Sequence, residues 1–401
     1  MKKRLLAILA LCALVSALHA EGANSTYSAG HYSFTYPEGF TGIEAVAEAF
    51  NGLWDGFNGV FGFDPALDRH QLKVLILSDR AAFDGYIQGR IGETRSQFLF
   101  LRYARPEASE LVLYPTQAPS GYEAFSGPVL NRQLFLQYLY SFVQEPPLWI
   151  RDGFQACFEK AVWDPATKTV LFAGYSPWLE AAKNLHADDA RMIDSSGVLS
   201  AITGSHDSAA FYPQAWSFTA FLLSSEKDEY QRFLHEAFLL LEGKDGYNGQ
   251  SQKENTELVR NRFTRFNAFA TADADFTGWL SLQHTFNELV QLGVNAYSAG
   301  NYGSAKDNLF AAATIRAGDP IVSHYLGLCL YAEKKYGEAE KWYLKALAAG
   351  ADVSTANWAL GVNAYADKRY GEARKYLDAA KSSNPARYGE KADALLGSIP
   401  K

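Results

Sequence analysis

The chain has 401 residues, 48% hydrophobic and 20% charged, with 32 Gly and 14 Pro. These ordinary globular proportions exclude a collagen-like, disordered or disulfide-scaffold chain, and the length suits about two or three domains. A net charge of −7 without a basic run argues against a nucleic-acid partner.

The chain opens on Lys2, Lys3 and Arg4, followed by an apolar run from Leu5 to Leu18 and then His19-Ala20. A charged start, an apolar core too short to span a bilayer and small residues near a cut site predict a secretory signal peptide over 1–20, cleaved after Ala20 or Ala17. A lipid anchor on Cys12 is the rival reading, although Leu11 is large where a lipobox has a small residue. No later apolar run approaches spanning length. Two cysteines remain beyond this segment, Cys157 and Cys329, both in helical patterns and expected to be buried free thiols. Without Cys-x-x-Cys there is no support for structural zinc. The expected location is exported, periplasmic or associated with a bacterial cell envelope.

Residues 31–160 read as mixed α and β. Residues 31–36 alternate as a short strand that stops at Pro37-Glu38-Gly39, and 42–58 have helical spacing. Residues 71–77 form an apolar strand, after which Asp79 can cap a helix carrying Phe83 and Ile87. Residues 96–103 and 110–114 read as two more strands. Two helices follow, at about 127–143 and 147–162, joined by Glu145-Pro146-Pro147.

The second of these helices opens Pro147-Leu148-Trp149-Ile150-Arg151-Asp152-Gly153, and Tyr212-Pro213-Gln214-Ala215-Trp216 follows downstream. This order resembles the peptidase-MA-like family of gluzincin metallopeptidases over about residues 31–245. The resemblance implies a first helix carrying His-Glu-x-x-His and a second helix whose Glu is the third zinc ligand. On that register Gln133 and Gln137 take the two His positions, Leu134 the general base and Asp152 the Glu ligand. Neutral amide oxygen is a weak zinc ligand beside imidazole, and Leu134 accepts no proton at any pH. The eight His are scattered, with no pair one helical turn apart. No metal, cofactor or catalysis is therefore expected, and Gln133, Leu134, Gln137 and Asp152 are vestigial positions. The competing reading is an active envelope hydrolase, a peptidase with a non-standard site around Asp152 drawing on Glu145 and Glu159. Asp152 and Glu159 are two turns apart on one helix, about 10 Å by helical rise and long for a shared proton.

Residues 242–257, rich in Gly, Asn, Gln and Lys, read as a loop, and Asp273 with Asp275 reads as a solvated linker. Beyond it the chain repeats itself. Gly293, Gly327 and Gly361 recur every 34 residues, as do Tyr297, Tyr331 and Tyr365, then Tyr302, Tyr336 and Tyr370, then Ala305, Ala339 and Ala373, then Ala312, Ala346 and Ala380. Five position classes on one period resemble the tetratricopeptide repeat, a helix-turn-helix unit that buries its apolar face only by stacking on its neighbours. Residues 386–396 read as a capping helix. By that resemblance the concave face carries Val290, Val294 and Tyr297, then His324, Leu328 and Tyr331, then Trp358, Val362 and Tyr365. These are the candidate partner-binding residues; solenoid packing is the other role open to the tyrosines.

The expected architecture is α+β followed by all-α. A signal peptide spans 1–20, a metallopeptidase-like domain without its zinc motif 21–165, a helical subdomain and linker 166–275, and three tetratricopeptide repeats with a capping helix 276–401. The expected function is a non-catalytic scaffold or assembly factor in the bacterial envelope, binding a protein or peptide on the repeats. Nucleic acid is not an expected partner, and no membrane-spanning segment is expected after cleavage.

Overall fold

The computed structural model describes residues 24–400, apart from 68–69, 96, 117–120, 173–176, 189 and 244–245. The predicted signal peptide lies outside the described residues. The chain divides into two compact units, one reaching to Leu280 and the other running from Ser281.

The first unit is built on a five-stranded sheet. Its strands are β1 (Asn24–Ala29), β2 (Tyr32–Pro37), β3 (Leu72–Ile76), β4 (Leu99–Leu101) and β5 (Glu110–Leu113), in the order β1-β2-β3-β5-β4. β2, β3 and β5 run parallel; β1 and β4 are antiparallel edges. β1 was not anticipated. Its sequence, NSTYSA, is largely polar and half-exposed, so it shows no apolar run. The β1–β2 turn passes through Gly30 at φ 56°, and the Asn51 side chain clamps it. Asn51 Oδ1 accepts from the His31 N–H at 2.8 Å, and its Nδ2 donates to the Ala29 carbonyl at 3.1 Å.

Asn51 lies on α1 (Ile43–Phe61), which buries Phe50, Trp54, Phe57 and Phe61 under the sheet's core. Gly42 and Gly62 close its two ends in the left-handed conformation that suits glycine. α2 (Arg80–Ile91) starts where expected, with Asp79 accepting from the Ala82 N–H at 2.9 Å. α3 (Pro128–Phe142) and α4 (Leu148–Phe158) follow as the two helices around the Pro-Pro break. The second stops at Phe158, short of the expected 162. Residues beyond it form β6 (Ala161–Asp164), paired with β7 (Thr169–Phe172), where Val162 and Trp163 favour a strand and Asp164 accepts from Ala166 N–H to close the turn.

The remaining helices of this unit are α5 (Trp178–Asp188), α6 (Ser195–Ser200), α7 (Ser208–Ser224), α8 (Asp228–Glu242), α9 (Gln252–Phe263) and α10 (Phe269–Leu282). Phe218, Phe233, Phe263 and Ala272 from this stretch join the same core as the strands. Two loop readings are corrected here. Within 242–257, a capping box formed by Ser251 and Glu254 starts α9, and Asn255 anchors it by donating to the Glu145 carbonyl at 2.9 Å. Asp273 and Asp275 lie inside α10 rather than in a solvated linker. Asp273 accepts from the Ser195 N–H at 2.8 Å, and Asp275 accepts from the Tyr230 hydroxyl at 2.7 Å and Lys227 Nζ at 2.6 Å.

The second unit is helical. It comprises α11 (Phe286–Ser298), α12 (Tyr302–Ile315), α13 (Pro320–Ala332), α14 (Tyr336–Ala348), α15 (Val353–Ala366), α16 (Tyr370–Ser383) and α17 (Pro385–Gly397). Each repeated residue does one job three times. A Cβ on Gly293, Gly327 or Gly361 would sit 2.6, 2.5 or 2.8 Å from Leu309, Tyr343 or Leu377 of the following helix. Ala305, Ala339 and Ala373 are fully buried opposite. The tyrosines meet across each turn, with ring centroids 5.7, 5.8 and 5.9 Å apart for Tyr297–Tyr302, Tyr331–Tyr336 and Tyr365–Tyr370. The three turns place Gly300, Lys334 and Lys368 at φ 77°, 61° and 62°. Among the described residues, no helix is long and apolar enough to cross a membrane.

Candidate functional site

α3 is fixed to the sheet by amides. Gln133 Oε1 accepts from the Phe100 N–H of β4 at 2.8 Å. Gln137 is almost wholly buried, and its Nε2 donates to the Lys73 carbonyl of β3 at 2.8 Å while its Oε1 has no partner. An uncharged amide makes such a bond without the desolvation cost of an ion. Leu134 is fully buried in the core. Asp152, on α4, is held by the adjacent Arg151 guanidinium at 2.7 and 3.2 Å. The four positions that the resemblance singled out thus occupy different surroundings: two meet sheet backbone, one fills the core and one pairs with its neighbour. No hydrogen bond joins them.

The polar cluster between α3 and α4 is led by Arg132. It is the one charged residue of α3, which is the signal that could have singled it out in the sequence. Arg132 Nη1 lies 4.0 Å from Glu159 Oε2, and the Trp178 indole N–H donates to Glu159 Oε1 at 3.0 Å. Gln155 accepts from the Tyr212 hydroxyl at 3.5 Å beside them. Burial raises the Glu159 carboxyl above its ordinary pKa, opposed by the Arg132 charge, the Trp178 bond and Lys160. Burial also raises Tyr212, keeping its hydroxyl protonated, with the negative charge of Glu159 adding to the effect. The cluster is therefore a fixed ion pair within a hydrogen-bonded frame.

Of the other carboxylates, Glu145 pairs with Arg102 at 2.6 Å. Glu145, Asp152 and Glu159 each have their own cation, and no hydrogen bond joins any two of them. Among the described residues, no group of three or more His, Cys, Asp or Glu is placed to hold a metal ion. Cys157 and Cys329 are free, and burial raises both thiols, Cys329 to about 11, so neither is a thiolate at neutral pH.

On the helical array, all nine candidate partner residues are half-buried. The three tyrosines are engaged at their turns, and the Tyr365 hydroxyl also meets Ser398 Oγ at 2.9 Å. His324 lies between Tyr325 and Tyr343, at 6.0 and 5.7 Å, and burial lowers its pKa. Trp358 stacks on Tyr388 of α17 at 5.2 Å. Val290, Val294, Leu328 and Val362 are the candidates outside these ring contacts. The more exposed apolar side chains, Ile321 at 55% and Val353 at 53%, begin α13 and α15. They lie outside the candidate positions, which the repeat resemblance places further along each helix. No family model matches the chain, and no curated protein matches it.

Proposed function

We propose that this is a non-catalytic exported protein of the bacterial envelope. On this reading its first unit is a gluzincin-like fold without a zinc site, and its second is a tetratricopeptide array holding a protein or peptide partner. The carrying observation is the threefold recurrence of one packing solution, in which Gly293, Gly327 and Gly361 each admit a large side chain from the next helix. Stacked helix pairs of this kind present long faces to partners. Leu328 and Val362 supply half-exposed apolar surface for such a face.

The first unit supports the gluzincin-like reading through its order of elements. Antiparallel edge strand β4 is bonded to α3, and α4 follows with Trp149, Asp152 and Gly153. It supports the loss of catalysis through Leu134, buried where a base would have to reach water, and through Arg132, whose fixed positive charge beside Glu159 disfavours a metal cation there. A hydrolase around Asp152 would need a carboxylate free to take a proton, whereas Asp152 is bonded to Arg151 by both oxygens.

Metal analysis of the purified full chain, with protease assays with and without chelator, tests the first half. Substoichiometric zinc and no chelator-sensitive cleavage are expected; stoichiometric zinc with such cleavage refutes it. The second half is tested by identifying an envelope protein that copurifies with the full chain. Its loss on Leu328→Glu is expected, and retention at full strength overturns the array face as the binding surface.

A further inference from the structure

A cavity of about 570 Å3 opens between the first half of α1, the start of α3 and strand β6. That volume falls within the roughly 300–1,000 Å3 of small-molecule sites. Ala45, Tyr122, Pro128, Asn131, Val162 and Trp163 contribute to its wall. It lies away from the sheet-facing amides of Gln133 and Gln137.

Three features define what it can hold. Its wall is dominated by apolar side chains: Val162 is 54% exposed, and the Trp163 ring lies over the open backbone of Gly52, where a Cβ would meet it at 2.1 Å. Water against such a wall finds few partners, so an apolar group displaces it favourably. Of the three wall carboxylates, Glu48 pairs with Lys168 at 2.8 Å and Glu159 with Arg132, while Glu123 is exposed to solvent and Lys160 brings a positive charge to the same wall. The wall also holds a buried amide fixed in orientation. Asn131 Nδ2 donates to the Glu159 and Ala161 carbonyls at 3.0 and 2.7 Å, while its Oδ1 has no partner. Native structures leave few buried groups in that state. Tyr122 lies on the same wall.

We propose that this cavity is a binding site for a neutral, largely apolar small molecule, its ring or chain seated between Pro128, Val162 and Trp163 and its single polar group turned toward Tyr122 and Asn131. The site is independent of the partner reading of the array.

The test titrates the full chain with N-phenyl-1-naphthylamine, a neutral aromatic amine whose fluorescence rises in apolar surroundings. Its sulfonated relative, anilinonaphthalene sulfonate, presents a similar body with a negative charge. Saturable one-to-one binding of the neutral probe is expected, with the anion at least tenfold weaker. Ala45 is exposed, so Ala45→Trp fills the space without touching the core and is expected to weaken the neutral probe at least tenfold. Val162→Glu, also on the surface, should do the same and stands in if the first variant does not fold. Leu344→Glu, on the second unit, should change nothing. Equal affinity for the two probes, or unchanged binding in both cavity variants, overturns the proposal.

Discussion

Gly327→Ala measures how closely the repeated helices approach one another. The added Cβ would lie 2.5 Å from Tyr343 Cε1, and that ring is 1% exposed and flanked by His324 at 5.7 Å, so it cannot swing into solvent. Overpacking of this kind costs about 1–3 kcal/mol. Replacing glycine by alanine inside a helix returns about 1 kcal/mol of propensity. The balance is a loss of about 1 kcal/mol. Gly337→Ala is the internal control, because it lies on α14 with nothing within 4 Å of its added Cβ. It should be neutral or slightly stabilising. Urea unfolding of the full chain, followed by circular dichroism and by fluorescence, reads both, with Trp342 and Trp358 as reporters in the array. If Gly327→Ala stabilises as much as Gly337→Ala, the helices do not meet as described and the packing account of the 34-residue period fails.

Leu134→Glu should cost more than about 3 kcal/mol, because it places an unpaired charge at a fully buried position; a stable, soluble variant would show that the residue borders a cleft. Glu159→Gln should change the pH dependence of stability. The carboxyl's pKa is raised in the fold, so the wild type loses stability as pH rises through the ordinary Glu range near about 4–5 and on through the folded value. The difference between variant and wild type should therefore move toward the variant over that range, and parallel melting curves would contradict it. Asp352 caps α15, and bonds from Ser354 and Thr355 hold its carboxyl down at about 2. Asp352→Ala should cost about 1 kcal/mol. Because the folded pKa is depressed, that difference should be full above about pH 4 and vanish as pH falls through about 2, as read by thermal melts at several pH values.

The array was legible because each repeated residue is a packing position, and a period in sequence becomes a period in space. Gly293, Gly327 and Gly361 announce themselves by being small at a point where a helix must pass. The cap at Asp79 and the long apolar face of α1 were equally readable, since both depend on near neighbours in the chain. β1 and α9 were not. β1 is a half-exposed, polar edge, and α9 opens inside a stretch whose composition hides a two-residue capping signal. The surroundings of the candidate site were illegible for a different reason. Counting along α3 gives spacing but not rotation about the helix axis, so nothing in the sequence said that Gln133 and Gln137 turn to the sheet while Arg132 turns to Glu159. Such facing relations depend on distant partners such as Phe100 and Lys73.

The three elbows of the array are not equally relaxed. Copy one uses glycine where the backbone must bend left-handed, whereas copies two and three force the same bend on lysine, Lys334 and Lys368. A side chain in that conformation carries about 1–2 kcal/mol of tension that glycine avoids. The array thus holds untapped robustness at two known points, which Lys334→Gly and Lys368→Gly would release without altering either packed face.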